Sequence, residues 1–289
     1  DLPQSGFNGT LNYVEAHTTY PLKCLLTPGV RGNAGCYRPM RVTAPEGSLL
    51  NCRYPAAVNL RHRTGWCASP AIFRALSAAL PRGVIAATGL PFSATVYGRT
   101  GDGGLYSDLL FMGGGQGASA RTDGRGGLIW PTSAANTSVE LFESRVPVIV
   151  LEKSLLPDTG GVGEYRGGPA QRMRLRKLYD DGLSTLVTVY PESVGNPIPG
   201  LFGGGPGGMS HGRVLDADGT PRKDCGTGDL VQLDDASAVI EVVVTGGAGY
   251  GDPARRRREA IARDLELGWI TPQGALRDYG YRGDPSPGD

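Results

Sequence analysis

Residues 158–168 read Asp-Thr-Gly-Gly-Val-Gly-Glu-Tyr-Arg-Gly-Gly. Core packing does not explain so many positions without a β-carbon around one carboxylate and one guanidinium, because glycine in a strand or helix costs roughly 0.5–1 kcal/mol relative to alanine. The run describes a shaped backbone that needs positive φ or the close approach of another chain or ligand. Residues 113–124, Gly-Gly-Gly-Gln-Gly-Ala-Ser-Ala-Arg-Thr-Asp-Gly, repeat the theme and set Arg121 and Asp123 just beyond a glycine nest. Further nests fall at 203–208 and 246–251. Each follows or flanks a strand-like run, so the nests are expected to gather at one sheet edge, in a folded protein whose loops carry the work.

Outward from these nests, residues 8–26 have a helical pattern, with Leu11, Val14, Leu22 and Leu25 roughly on one face and Pro21 as a kink or break. Short strands are expected at 38–43 and 48–52, and a helix opening at Ser69-Pro70 and ending at Pro81. From about 84 to 151 the pattern is mostly β, at 84–87, 94–98, 105–112 and 146–151, with a short helix over 138–144. Residues 171–178 alternate apolar and arginine positions, as a strand with one wet face does. Two hairpins are predicted, 171–178 with 183–190 across Asp180-Asp181-Gly182, and 230–233 with 238–245. Asp252 and Thr271 would cap helices opening at Pro253 and Pro272, and 282–289 read as a frayed tail. The expected fold is mixed α+β, β-rich with glycine-rich loops and two C-terminal helices. A helical and short-strand region over 1–95 precedes a β-rich region over 96–289, and the two are compatible with one continuous domain.

At 289 residues the chain can bury an ample core. Gly 46 and Pro 22 approach a disordered composition, but 39% hydrophobic content argues for a folded chain. Lys plus Arg is 29 against Asp plus Glu 28, which gives no electrostatic case for nucleic acid or an anionic membrane as principal partner. The basic run Arg255–Arg258 reads as a solvated face of an amphipathic helix. Five cysteines at irregular spacings, with no Cys-x-x-Cys pair, indicate neither a disulfide framework nor a zinc site. The opening residues lack a secretory pattern and no apolar run is long enough to span a bilayer, so a reducing cytoplasm is the expected compartment.

The nests invite a phosphate reading, since consecutive backbone amides make an anion-binding concavity. No Gly-Lys-Ser or Gly-Lys-Thr follows any of them, which excludes a P-loop, and the helix context of a dinucleotide fingerprint is missing. His17, His62 and His211 are too scattered for a local metal motif. His62 stands between Arg61 and Arg63, which disfavour its protonated form, and serves as a base, an anion ligand or a loop residue. Glu140 and Glu143 share a face of the short helix, as a structural pair or a domain contact. Arg121 and Arg166 could hold a carboxylate or phosphate in bidentate fashion, or pin loops by bonding carbonyls.

Taken in order, several blocks resemble the C-terminal half of the hydantoinase B and 5-oxoprolinase family. They are Asn33-Ala34-Gly35 with Arg38-Pro39, residues 44–48, residues 55–58, the Gly113 nest with Asp123-Gly124, residues 136–143, residues 158–168, and residues 245–253. The resemblance implies a place in a hetero-oligomer with a hydantoinase A type subunit, which carries ATP and Mg on an actin-like fold and phosphorylates the substrate. It implies a cyclic-amide hydrolase of the hydantoin, 5-oxoproline or lactam type, or a ketone carboxylase of the acetone or acetophenone type. The B-type subunit would form the chamber that receives the phosphorylated intermediate.

The family's N-terminal half, with motifs that look like a divalent-metal site for Zn or Mn, has no counterpart here. The chain is therefore expected to be a split subunit, a processed fragment or the partner of a metal-bearing chain, with the metal in that N-terminal half or in a partner chain that supplies it, and with no cofactor held by this chain alone. Within this reading Asp123, Asp158 and Arg166 are the candidate catalytic residues. Gly114, Gly115, Arg121, Gly161 and His62 are candidates for binding a small-molecule substrate. A non-catalytic scaffold or a solitary anion-binding module is the competing account.

Overall fold

A computed structural model describes residues 6–132 and 134–283 of the protein. The chain divides into two compact units, one ending at Ile85 and the other beginning at Ala86.

The first unit is helical. Helix α1 spans Leu11–Leu26, α2 Ala34–Tyr37 and α3 Arg61–Leu76. Pro21 lies inside α1 without ending it. The helix expected to open at Pro70 starts nine residues earlier, at Arg61, and Pro70 sits in its interior. The short strands expected at 38–43 and 48–52 do not form, and only an isolated Ser48–Asn51 bridge marks that turn. Helices α1 and α3 meet where Gly65 offers no side chain. A β-carbon there would stand 2.8 Å from the Tyr13 ring and 2.9 Å from His17 Nε2.

The second unit is built on two antiparallel sheets. Its strands are β1 Phe92–Arg99, β2 Leu105–Met112, β3 Val148–Leu155, β4 Gln171–Lys177, β5 Thr185–Tyr190, β6 His211–Leu215, β7 Pro221–Cys225, β8 Asp229–Leu233 and β9 Val239–Val243. One sheet runs β2-β1-β5-β8 and the other β3-β4-β9-β6-β7. Their inward residues share one core, with Val96, Val187 and Leu233 from the first sheet against Leu175, Ile240 and Val242 from the second. Helix α4, Val139–Glu143, adds Phe142 to it.

Both predicted hairpins fail for the same reason. Strands β4 and β5 belong to different sheets, as do β8 and β9, so each expected turn is a crossover between layers. Lys177 is the anchor of the first crossover: its buried ammonium bonds the Asp181 carboxylate at 2.5 Å and the carbonyls of Leu183 and Asp234. A sandwich core and a hairpin leave the same alternation in the sequence, so the residues alone point to the wrong partner.

Helices α5, Arg258–Glu266, and α6, Pro272–Tyr279, close the chain. Thr271 caps α6 as expected, accepting from Gly274. Asp252 caps only a 3-10 turn over Pro253–Arg255, and α5 begins after it. From residue 284 onward the expected tail lies outside the described residues.

The glycine nests form no sheet edge. Together with residues 86–89 they run side by side as neither helix nor ladder, and bond to each other every third residue. Ala86 and Gly89 donate to the carbonyls of Ala118 and Gly115; Gly115 and Ala118 donate to Thr245 and Ala248; Gly205 and Gly208 donate to Val162 and Thr159; Gly246 and Gly249 donate to Gly208 and Gly205. A period of three with no bonds inside a segment is the geometry of a polyproline II helix, which leaves every amide and carbonyl to find partners outside its own strand. Here each segment satisfies its neighbours. The glycines are required for proximity: a methyl on Gly115 would overlap the Gly168 carbonyl and the Gly247 amide, and one on Gly167 the Gly247 carbonyl. Neither residue has a positive φ.

Candidate functional site

At one side of this glycine bundle four charged side chains interlock. The Arg166 guanidinium donates from Nε to Asp264 Oδ2 at 2.9 Å and from Nη2 to Oδ1 at 3.3 Å. Its third arm reaches the Gly167 carbonyl, and its plane lies 4.9 Å from the centre of the Trp269 ring. Arg256 donates to both oxygens of Asp123, at 2.8 and 2.9 Å, and to Asp264 Oδ2 at 2.6 Å. Asp123 also accepts the Arg166 amide at 2.6 Å. The side chains of Arg166, Arg256 and Asp264 are 1%, 1% and 3% exposed, so this is a buried, internally neutral quartet. It ties the bundle segments at 123 and 166 to the start and middle of the C-terminal helical region.

Burial alone would raise the Asp123 carboxyl, but the Arg256 guanidinium and the Arg166 amide outweigh it and hold it below the ordinary carboxylate range. Next to the quartet, burial pushes the Tyr279 phenol up to about 12. Its hydroxyl and Arg256 Nε are buried donors with no partner among the described residues.

Asp123 is the one quartet member that reaches solvent, with 29% of its side chain exposed. It edges a cleft of about 270 Å³ whose walls are Arg121, Glu164, Tyr165, Arg255, Arg256 and Arg257. Arg255 pairs with Glu164 at 3.3 Å, while Arg121 and Arg257 are exposed cations at the rim. With Asp123 offset by Arg256 and Glu164 by Arg255, the cleft keeps the positive charge of Arg121 and Arg257.

Arg121, Asp123 and Arg166, singled out from the sequence, thus share one neighbourhood at the bundle's charged side. Asp158 lies elsewhere on the glycine segment: in a left-handed conformation with φ 59°, it accepts the Thr271 amide at 2.9 Å and the Thr271 hydroxyl at 2.6 Å. It thus seats the α6 cap. The amides of Gly115 and Gly161 donate to Thr245 and Gly247, and the Gly114 carbonyl accepts from Leu128. Those amides and that carbonyl are engaged by other backbone, as parts of the framework. His62 sits in the first unit on α3, edge-on to Trp66 at 4.9 Å, and burial, then Arg63 and Arg61, lowers its pKa. Glu140 accepts from Ser138 and Glu143 from the Val150 amide, both local structural roles. His211 meets Glu241 at 3.2 Å.

Two members of the quartet escape the sequence reading. Arg256 belongs to a run that reads as a solvated face, and its neighbours Arg255, Arg257 and Arg258 are indeed exposed, but it alone turns inward. Asp264 has a visible signal. It lies three residues after Ile261 and one before Leu265, on the stripe expected to face the core, where an acid needs a cation. Among the described residues no three His, Cys, Asp or Glu side chains converge, so the divalent ion that the resemblance implies finds no donor set here. No helix among them is long and apolar enough to cross a membrane.

The family model described as hydantoinase B/oxoprolinase matches residues 3–253. The uncharacterized protein MJ0963 of Methanocaldococcus jannaschii is 30% identical over 94% of this chain and 47% of its own length. A relative from a Pseudomonas strain, named as the B-type subunit of a putative D-/L-hydantoinase, is 28% identical over 86% of this chain and 41% of its own. The chain thus spans less than half the length of these relatives. Among solved structures, the ATP-dependent caprolactamase from Pseudomonas jessenii superposes over 97% of this chain and 50% of its own with a TM-score of 0.79, at 24% identity, which establishes a shared fold. With the family match covering most of the sequence, and the glycine blocks that carried the resemblance forming the centre of the second unit, the chain belongs to the hydantoinase B/oxoprolinase family.

Proposed function

We propose that this chain forms the C-terminal part of the B-type subunit of an ATP-dependent cyclic-amide hydrolase, and that its arginine-rimmed cleft holds the anionic, activated form of the substrate. The observation that carries this reading is a concave cationic site mounted on a rigid support. Arg121 and Arg257 bring charge that nothing in the cleft offsets, and the quartet fixes the wall behind them. An amide carbonyl is a poor electrophile, and phosphorylation converts its oxygen into a leaving group at the cost of added negative charge. A partly enclosed guanidinium cluster suits such a species.

In this scheme Arg121 binds substrate. Asp123 and Arg166 are positioning residues that orient Arg256, Asp158 positions α6, and Gly114, Gly115 and Gly161 keep the support stiff. ATP with Mg would come from a hydantoinase A type subunit and a divalent ion from a separate chain or segment, in a cytoplasmic assembly. The names of two curated relatives, the B-type component of a hydantoinase and the beta subunit of a caprolactamase, support hydrolysis over ketone carboxylation.

The test is Arg121→Ala in the purified assembly, assayed for ATP-dependent lactam hydrolysis. The side chain is exposed, so the fold should survive. We expect at least about a tenfold loss of turnover with the complex intact. Full turnover would remove the cleft from the mechanism, and dissociation of the complex would favour the scaffold account.

A further inference from the structure

The two sheets of the second unit share a core but present opposite outer faces. On the β3-β4-β9-β6-β7 sheet the central outward row runs Glu152, Arg174, Glu241, Arg213 and Asp224, alternating in sign from strand to strand. Its members pair within the face, Arg174 with Glu241 at 2.6 Å and Arg213 with Asp224 at 2.8 Å. Such a face suits water. On the β2-β1-β5-β8 sheet the central outward row is Leu109, Thr95, Thr188 and Leu230. The rows on either side are Ser107, Tyr97, Leu186 and Gln232, and Phe111, Ser93 and Tyr190. None of these residues is charged. Leu109 and Leu230 are 48% and 51% exposed, and Leu105, at the end of the same face, is 77% exposed.

Polar members of the uncharged face already have partners. The Tyr97 hydroxyl lies 3.4 Å from that of Thr188, and the Gln232 amide donates to Ser184 and Asp234 at 3.1 and 2.8 Å. Covering these groups therefore breaks no hydrogen bond that the sheet relies on. Depletion of charge marks the centre of a protein interface. The edge of the sheet beside this face is closed. Asp108 accepts the Leu109 amide at 2.8 Å, and the Thr137 hydroxyl accepts the Phe111 amide at 2.9 Å and donates to the Leu109 carbonyl at 3.3 Å. With those edge atoms taken, a partner meets the face and does not extend the sheet.

The pattern of the rows says what covers them. Read outward from the seam between β1 and β5, the central row gives threonine then leucine on both sides, and the row through Tyr97 and Leu186 gives a large residue then a polar one on both sides. A twofold axis along the strands over this seam sets Thr95 against the partner's Thr188 and Leu109 against the partner's Leu230. Charge complementarity gives specificity between different chains, and this face has no charge to complement, whereas an isologous contact needs only a patch that fits itself. Strands β1 and β2 are eight residues long. At about 4.8 Å between strands and about 3.3 Å per residue, the four-stranded face offers about 500 Å² a side, so a pair buries about 1,000 Å², the lower limit for a specific interface. We propose that this face joins two copies of the chain in a twofold dimer of modest affinity, sheet packed on sheet. The proposal draws on nothing in the arginine cleft.

The experiment is sedimentation velocity of the full chain over a concentration series, with the variants Leu109→Lys and Leu230→Glu. The wild-type chain should pass from monomer to dimer as its concentration rises. Both leucines are about half exposed, so the fold should accept either charge. In the dimer each variant would bury two unpaired charges, which should weaken association at least about tenfold. Mixing the two variants should restore a dimer, because the new ammonium of one chain meets the new carboxylate of the other across the axis. The double variant should self-associate for the same reason, since within one chain the two sites lie on opposite edges of the sheet. A wild-type chain that stays monomeric at every concentration overturns the proposal without recourse to any variant. So does a dimer that neither charge weakens, or a mixture no better associated than its components. A monomeric wild type whose Leu230→Glu variant loses its place in the purified assembly would give the face to a different subunit, and equally overturn the proposal.

Discussion

The two halves of the second unit are held together by opposite means. In the sandwich, branched apolar side chains from two sheets fill the space between backbones about 10 Å apart, and the polar main chain is satisfied within each sheet. In the glycine bundle the backbones touch, no side chain intervenes, and hydrogen bonds between segments are the contact itself. A sandwich can relax around a lost methyl group. The bundle has nothing to move, which makes it a stiff mount for the charged quartet at its side.

The largest effect should come where the mount meets the quartet. Asp264→Ala leaves Arg166 and Arg256 buried without their shared carboxylate, and should cost about 3–5 kcal/mol in chemical denaturation. Within the bundle, Gly247→Ala places a methyl against the Gln116 carbonyl and should cost about 3 kcal/mol, the upper end of overpacking. A cost below that of a core truncation would mean that the bundle yields as the sandwich does. In the sandwich, Ile240→Val removes one methyl from the shared core and should cost only about 1 kcal/mol. The smallest effect is expected at Gly101, which has open space around it and no positive φ: Gly101→Ala should shift the denaturation midpoint by less than about 0.5 kcal/mol.

The quartet also sets how stability depends on pH. Asp123 binds its proton less tightly when folded than when unfolded, so its contribution is present above the ordinary carboxylate value of about 4 and is lost as pH falls below it. Tyr279 is shifted the other way. The unfolded chain ionises near pH 10 and the folded chain at about 12, so stability should decline between those values and Tyr279→Phe should flatten that limb. Urea midpoints at pH 9 and 11 measure it.

Much of this is legible in the residues. The glycine blocks announce an unusual backbone, Thr271-Pro272 announces a helix start, and the alternation of Arg172, Arg174 and Arg176 with apolar residues announces a strand. What cannot be read is partnership. Nothing local in Leu183–Tyr190 says that it joins Phe92–Arg99 in place of the strand just before it, because both pairings bury the same alternate residues. Likewise a glycine tract looks the same whether it cradles an anion or another glycine tract, and only its neighbours decide. Arg166 and Asp264 are 98 residues apart, and a pair so distant has no signature in spacing.

The threefold bonding between the glycine segments has a consequence for how this region can change in length. Contacts recur after each full turn of a three-residue screw, so inserting one residue into 113–118 or 205–208 rotates everything beyond it by a third of a revolution and points carbonyls where amides were awaited. Adding three restores the phase. Loops elsewhere in the molecule can grow by any increment, whereas these tracts are expected to lengthen or shorten only in whole turns.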